Sequence, residues 1–439
     1  MKKILSLLVI MIMLVTFTIP TFANSSKDQS MDSRIPGELI VSIEDADNEN
    51  RIQSIDSKTE NHIKIINNGE FEVKSSLISS TFDVRNKVSI FDNNDFMNQI
   101  IGEMGYVYLV KYQNIDENIE KVIESLKEHL TEAGLKVKSI EPNYEVKAEE
   151  DGNLDIGVDS INSYQVWNYN MIGIPKAWEI SEGSENVKVA VLDTGIQYTH
   201  PNLKEFINTT LGKNFTSNDP CDFMDRVGHG THVAGIIASY GQVSGVMKYA
   251  TLIPIKVLND SGVGSTYSII QGLIHAGNEK ADVINMSLGG WDYNESMDRA
   301  CEIVTARGVI IVAATGNDYR NVISYPARYK SVIAVGAVDK NRKRAAFSNY
   351  GTGGVDLMAP GVEIYSTYIN NGFAFLTGTS MATPHAAGAA GLMKFLDKSI
   401  TPEKARQILK DTATYAGNSY EYGAGIVNAY EAVKALCGY

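Results

Sequence analysis

The sequence predicts an α/β protein built on a doubly wound parallel sheet with helices on both faces, preceded by a smaller α+β unit. Three observations carry this. First, from about residue 185 onward, short β-branched runs alternate with helical stretches. The runs are apolar on both faces, as strands buried in a parallel sheet must be. Second, residues 149–163 (EEDGNLDIGVDSINS) form a Gly/Asp/Asn/Ser-rich break between two kinds of pattern. Third, charge changes across that break. The net charge is −13, but from Asp151 onward there are 23 Lys/Arg against 27 Asp/Glu, so most of the acidic excess precedes it.

The chain of 439 residues, 44% hydrophobic and 21% charged, can bury a sizeable core. Its first segment, residues 1–23, has Lys2 and Lys3, an apolar run from Ile4 to Ile19, then Pro20 and small residues ending at Ala23. This is the three-part pattern of a secretory signal peptide. The run is too short and too interrupted for a membrane anchor, so an extracellular protein is expected. The acidic charge argues against nucleic acid or an anionic membrane as partner.

Between residues 24 and 150, Gly37–Ile43 and Tyr106–Tyr112 read as strands. Asp116–Gly134 reads as a helix, with Ile119, Val122, Ile123, Leu126 and Leu130 on one face, and residues 135–148 return to strand character. Beyond the break, the runs NVKVAVLDTG, YATLIPIKVL, ADVINMSLGG, GVIIVAATGN and SVIAVGAV are the sheet strands, and STYSIIQGLIHAGN is an intervening helix. Functional groups in such sheets gather beyond the carboxyl ends of the strands.

Asp193 closes one such run and Asn317 follows another; His229 stands between two glycines at a helix start. Ser380 stands where a polar turn becomes an Ala/Gly-rich helix, a place where Ser ordinarily serves as a cap. Each has a bland reading alone. No second Asp-Thr-Gly supports an aspartic dyad, and His229 and His232 lack the Glu and third ligand of a zinc helix. Together they form one chemical set. A Ser hydroxyl needs a base, the base needs an orienting carboxylate, and the oxyanion needs donors, here the Asn317 amide and the Ser380 N–H.

The stretches VLDTGIQYTHPNL, GHGTHVAG, SLGG, AATGN, YPARYKSVIAVGAV and GTSMATPHAAG occur in the order found in subtilisin-like serine proteases, and the resemblance runs from Gln165 to Ala435. It implies Asp193, His229 and Ser380 as the triad and Asn317 as oxyanion donor, with His385 a framework residue. It also implies that residues 24–150 are an inhibitory, folding-assisting propeptide, longer than usual, and that 151–439 are the catalytic domain. Cleavage of the propeptide is expected at Glu149 or Glu150, with Val146 lying apolar in the cleft.

The resemblance further implies that an extended peptide lies between Gly262–Thr266, including Gly264, and Ser287, Leu288 and Gly289. The loop carrying Asp318, Arg320 and Ser324 should wall the pocket for the residue before the cut bond. Asp318 would favour a basic residue there and Arg320 an acidic one; the acidic propeptide junction tips the expectation toward Glu. No cofactor is expected. Asn202 stands where calcium-binding subtilisins carry Asp, and the loop after HVAG is short of carboxylates, which argues against structural calcium. Three cysteines form no framework, and Cys221 is expected to be a buried or idle thiol.

The expected product is a monomeric, secreted endopeptidase acting on peptide or protein substrates. One reading is a dedicated maturation protease like the lantibiotic leader peptidases of this family. A second is a broad scavenging protease, and a third a propeptide-locked binding module without activity.

Overall fold

In a computed structural model, the structure describes residues 33–44, 51–81, 90–113, 115, 116, 118–148 and 161–437. The expected signal peptide, the Glu149–Glu150 junction and most of the break after it lie outside these residues.

The first part holds strands β1 (Arg34–Ile43), β2 (Phe71–Ser76), β3 (Tyr106–Tyr112) and β4 (Val137–Ala148), with helices α1 (Arg51–Ile66), α2 (Leu77–Thr81), α3 (Ile90–Met104) and α4 (Ile119–Glu132). The strands form an antiparallel run in the order β4-β1-β3-β2. α4 is the helix read from spacing: Val122, Leu126 and Leu130 are buried, and the Asn118 side chain caps it by accepting from the Glu120 N–H at 2.8 Å. β1 begins three residues earlier than its apolar run because Arg34 pairs with Tyr144 across an irregularity in the ladder. Helices α1 and α3 carry no clear sequence periodicity, and residues 161–163 of the expected break open a helix instead.

The second part begins with α5 (Ile161–Met171), α6 (Ile174–Ala177), β5 (Gly183–Asp193), β6 (Lys213–Asn214), α7 (His229–Ile237), β7 (Tyr249–Lys256), β8 (Val263–Ser265), α8 (Thr266–Asn278), β9 (Val283–Met286), β10 (Leu288–Gly289) and α9 (Glu295–Ala306). It continues with β11 (Ile310–Ala314), β12 (Val332–Val338), β13 (Leu357–Pro360), β14 (Ile364–Tyr368), β15 (Gly372–Leu376), α10 (Thr379–Leu396), α11 (Pro402–Asp411), α12 (Ser419–Tyr422) and α13 (Ala429–Leu436).

Seven of these strands make one parallel sheet in the order β13-β12-β11-β9-β5-β7-β6. From β5 the chain runs outward through β9, β11, β12 and β13 on one side, while β7 and the edge strand β6 lie on the other, so β5 lies at the topological switch, where sites form in open α/β sheets. α8 and α9 pack together on one side, and α7, α10 and α13 pack together elsewhere against the sheet. α10 is buried from Thr379 to Lys394, which explains why its sequence is Ala/Gly-rich and without an amphipathic pattern.

Candidate active site

Asp193 is the last residue of β5. Its carbonyl accepts from the Val257 and Leu258 N–H groups at 2.9 and 3.1 Å, which locks the backbone where strand becomes turn. Its Oδ1 accepts from the Thr194 N–H and meets His229 Nδ1, each at 2.7 Å, with both side chains fully buried. The acceptor role of the carboxylate fixes the proton of that imidazole on Nδ1 and leaves Nε2 as the basic nitrogen.

Glycines make this approach possible. Gly228, the residue before α7, has φ +107°, and a Cβ there would lie 2.3 Å from the Tyr368 ring. A Cβ on Gly230 would lie 2.1 Å from the Gly195 carbonyl and 3.0 Å from Asp193 Oδ1. Any side chain at residue 230 would therefore push α7 off the end of β5.

Asp225, a residue that sequence reasoning missed, fastens the same two elements. Its Oδ1 accepts from Thr194 Oγ1 and from the Val227 and Gly228 N–H groups, all at 2.9 Å. Its Oδ2 accepts from the N–H (2.9 Å) and Oγ1 (2.6 Å) of Thr231. The available signal was a carboxylate four residues before a helix start, a place where an anion meets unpaired N–H groups.

Ser380 does not cap its helix. The cap position is Gly378, which has no side chain to spend, so Ser380 is the second helical residue and its hydroxyl remains available. Its N–H belongs to the first turn, whose donors have no intrahelical acceptor. The hydroxyl donates to the Ser287 carbonyl at 3.0 Å, not to the imidazole. In return Ser287 Oγ donates to the Ser380 carbonyl at 2.8 Å. That carbonyl is free to accept because its helical partner four residues on is Pro384, which has no N–H.

Asn317 lies just past β11. Its Oδ1 accepts from both the N–H and Oγ1 of Thr379 at 2.9 Å, which fixes the amide orientation. Nδ2 is then turned the other way, buried and without an acceptor among the described residues. A buried N–H with no partner is costly unless a ligand supplies one.

The expected peptide-binding segments are occupied. The last residues of β4 pair antiparallel with β8 (Glu145 with Ser265, Val146 with Gly264, Lys147 with Val263) and with β10 (Lys147 with Gly289, Ala148 with Leu288). The Gly262 carbonyl accepts from the Ala148 N–H at 3.2 Å. Val146 is buried, while the first half of the same strand belongs to the β1–β3 sheet.

In the neighbouring loop Asp318 and Arg320 are both exposed. Asp318 Oδ2 accepts from Asn349 Nδ2 at 3.3 Å, and the Arg320 guanidinium lies over the Trp291 ring, 4.3 Å from its centroid. Trp291 directly follows the SLGG segment. Ser324 is buried beneath, and Tyr325 exchanges two backbone hydrogen bonds of 2.8 Å with Gly290.

The other histidines have structural partners. His232 Nε2 faces the carbonyls of Ile364 and Ala374 at 2.9 and 3.1 Å, so His229 and His232 do not share a ligand set. Burial lowers its pKa to about 3. His385 Nδ1 donates to the Met381 carbonyl and Nε2 accepts from Asn168, and burial lowers its pKa to about 4. Both are neutral spacers rather than rival bases.

Asn202 Nδ2 donates to the Val243 carbonyl at 3.2 Å, which ties the residue after His200-Pro201 to the loop that follows α7. Among the described residues, no group of three or more His, Cys, Asp or Glu side chains is arranged to hold a metal. Cys221 is exposed rather than buried, since it lies in a polar turn where its N–H binds Asp219 Oδ1; Cys301 is the buried thiol, its pKa pushed up by burial.

Comparison with known proteins matches residues 184–425 to the Subtilase family. Subtilisin Savinase of Lederbergia lenta is 46% identical over 271 residues, 61% of this chain and 98% of that protein. The alkaline protease of Shouchella clausii is 45% identical over 289 residues, 65% of this chain and 73% of that one. Subtilisin DY of Bacillus licheniformis is 44% identical over 256 residues, 57% and 91% of the two chains. These relatives are named as proteases and the family model covers more than half of the sequence: the chain belongs to the subtilase family and is a subtilisin-like serine endopeptidase.

Proposed function

We propose that this enzyme is secreted as a precursor and held inactive by its own residues 24–150, with residues 1–23 the signal peptide. In this reading His229 is the general base, Asp193 orients it and stabilises the imidazolium, and Ser380 is the nucleophile. Asn317 Nδ2 and the Ser380 N–H receive the oxyanion. The observation that carries the proposal is the end of β4, paired on both edges and stopping at Ala148, one residue before the acidic junction. A strand paired on both edges in this way supports the reading of residues 24–150 as a segment that occupies the cleft as a bound peptide would.

Catalysis requires the Ser380 hydroxyl to exchange its acceptor, turning from the Ser287 carbonyl to His229 Nε2 as substrate arrives. Its oxygen then attacks the scissile carbonyl while the imidazole takes its proton, and the same proton later goes to the leaving amine. The orphaned Asn317 amide has its partner only when negative charge develops on the substrate oxygen. Losing one such donor costs about 3–4 kcal/mol of transition-state stabilisation, a magnitude measured on a member of the subtilisin family. A fluorophosphonate probe tests the assignment. The matured enzyme labels at Ser380, and the intact precursor labels far more slowly because β4 fills the cleft. Equal labelling of both forms, or labelling that survives Ser380→Ala, contradicts it.

A narrower substrate choice is favoured by the loop. Asp318 Oδ2 accepts from Asn349, while the Arg320 guanidinium lies over the ring of Trp291, the residue that follows the binding segment, which supports Arg320 as the charge that meets the substrate side chain. We propose a preference for Glu before the cut bond, which suits a protease that matures a particular precursor rather than a broad scavenger. In a peptide-library profile, Arg320→Ala is expected to cut the kcat/KM advantage of Glu over Gln by about tenfold, the range of a charge-assisted contact. A profile flat or apolar in the wild type returns the enzyme to the broad reading.

A further inference from the structure

The parallel sheet has a second edge, opposite the catalytic one. Asp193 ends β5 and Asn317 lies just past the carboxyl end of β11, whereas Asp282 directly precedes β9 and Val309 directly precedes β11. At this amino edge lies a cavity of about 370 Å³, far above the ~10–15 Å³ that admits one water. It is lined from three places: the turn after α8 (Lys280, Asp282), the turn after α9 (Arg307) and the end of α10 with the turn beyond it (Lys394, Lys398).

Four of these five side chains are cationic, and the most buried cation lacks a counter-ion. Lys394 is only 4% exposed. Its Nζ donates to the carbonyls of Ile400 at 2.9 Å and Lys398 at 3.3 Å, and among the described residues no carboxylate lies within ion-pairing distance of it. Burial of an ammonium without a counter-ion is costly, and it drives the Lys394 pKa down. An ammonium has three donors, so the two carbonyls leave one for a ligand. The nearby carboxylates have partners of their own. Asp282 Oδ2 accepts from the Lys188 N–H at 2.8 Å and from Lys398 Nζ at 2.6 Å. Asp397 Oδ1 accepts from the N–H and Oγ of Ser399 at 3.0 and 2.6 Å. At the rim, α3 packs against α9, and the Arg307 guanidinium lies over the Phe96 ring, 4.2 Å from its centroid, which steadies it.

Helix ends oppose this charge without cancelling it. α8, α9 and α10 all finish here, each adding about −0.5 at its C-terminus, and Asp282 adds a full negative charge; the balance against the four cations stays positive by roughly one and a half charges. A monovalent ion meets one or two of these groups, while an anion with several oxygens on two centres reaches cations from more than one element at once. We propose that this cavity is a binding site for a multivalent phosphate-type oxyanion, separate from the catalytic cleft, with Lys394 as its buried counter-charge.

The test uses the full chain carrying Ser380→Ala, which prevents self-digestion, and titrates it with pyrophosphate by calorimetry in metal-free buffer at 0.15 M NaCl. One site is expected, with Kd about 1 mM or tighter. Inorganic phosphate should bind several-fold more weakly. Lys394→Met should weaken pyrophosphate binding by about tenfold, the scale of one charge-assisted hydrogen bond. Lys398→Ala should weaken it too, since it removes a cation and strips Asp282 of its partner; it carries the test if Lys394→Met fails to fold. Asp282→Asn should tighten binding, a gain that a merely structural role for the carboxylate would not produce. Lys340→Ala, which removes an exposed charge beyond the carboxyl end of β12, should leave Kd unchanged. No saturable binding in the parent protein, phosphate binding as tightly as pyrophosphate, or equal losses in the Lys398 and Lys340 variants would overturn the site.

Discussion

At the residue scale, the Ser287–Ser380 pair shows how one imino acid shapes the site. Pro384 frees the Ser380 carbonyl, and Ser287 Oγ occupies it at 2.8 Å, tying the binding strand to the helix that carries the hydroxyl. Ser287→Ala removes only that half of the exchange, because the Ser287 carbonyl still receives the Ser380 hydroxyl. It takes a partner from two buried groups, the Ser380 carbonyl and Asn285 Nδ2, which donates to Ser287 Oγ at 3.0 Å, at a cost of about 1–3 kcal/mol for each, which should lower Tm by several degrees in a scan of the full chain. The matured variant should lose kcat with little change in KM, since the helix start is loosened while the binding backbone is kept. Unchanged Tm and kcat would show the bond to be idle. Sequence reasoning reached Asp193, His229, Asn317 and Ser380 because each stands at a strand end or helix start. It missed Asp225, Thr379 and the reciprocal role of Ser287, whose work is hydrogen bonding to residues distant in sequence, where no spacing announces a partner.

At the scale of elements, buried parallel strands were legible because both their faces are apolar, and α4 because one face is. α1 and α3 were not: residues 51–66 mix Asn, Ser, Thr and Lys through the helix, and only contacts with neighbouring elements select its buried positions, such as Ile55 and Ile66. The start of α10 was legible but its cap was not: Ser is a better cap than Gly in isolation, yet Gly378 holds that position and the Ser380 hydroxyl donates to the Ser287 carbonyl. The docking of α7 and α10 carries a pH dependence. His232 and His385 have folded pKa values of about 3 and 4 against an ordinary 6.5. The unfolded chain therefore binds more protons below about pH 6.5, so stability is full above that pH and falls as pH drops toward 4. Tm measured from pH 7.5 to 4.5 should fall progressively once below about 6.5. His385→Gln should flatten part of that fall if its amide keeps the bonds to Met381 and Asn168, and an unchanged slope would assign the acid sensitivity to other groups.

At the scale of the whole molecule, the two parts are joined by one strand serving two sheets. β4 belongs to the antiparallel sheet through β1 and to the cleft through β8 and β10. The acidic Glu141 adds to that joint, accepting from the Glu295 N–H at 2.8 Å and from Ser296 Oγ at 2.6 Å at the start of α9. The change in pattern and charge near residue 150 was legible, but the docking through α2 and α3 was not, because Phe96 and Gly277 are ordinary in sequence until they meet. The most direct measurement is N-terminal sequencing of the protein secreted from a protease-deficient host, for the wild type and for Ser380→Ala. The wild type should begin at residue 150 or 151 and be active. Ser380→Ala should begin near residue 24, retain the propeptide and be inactive, with the wild type exceeding it by about 10⁶ in kcat, as for nucleophile loss in subtilisin itself. A Ser380→Ala protein trimmed at the same bond, or a wild type active while still beginning near residue 24, would contradict the account.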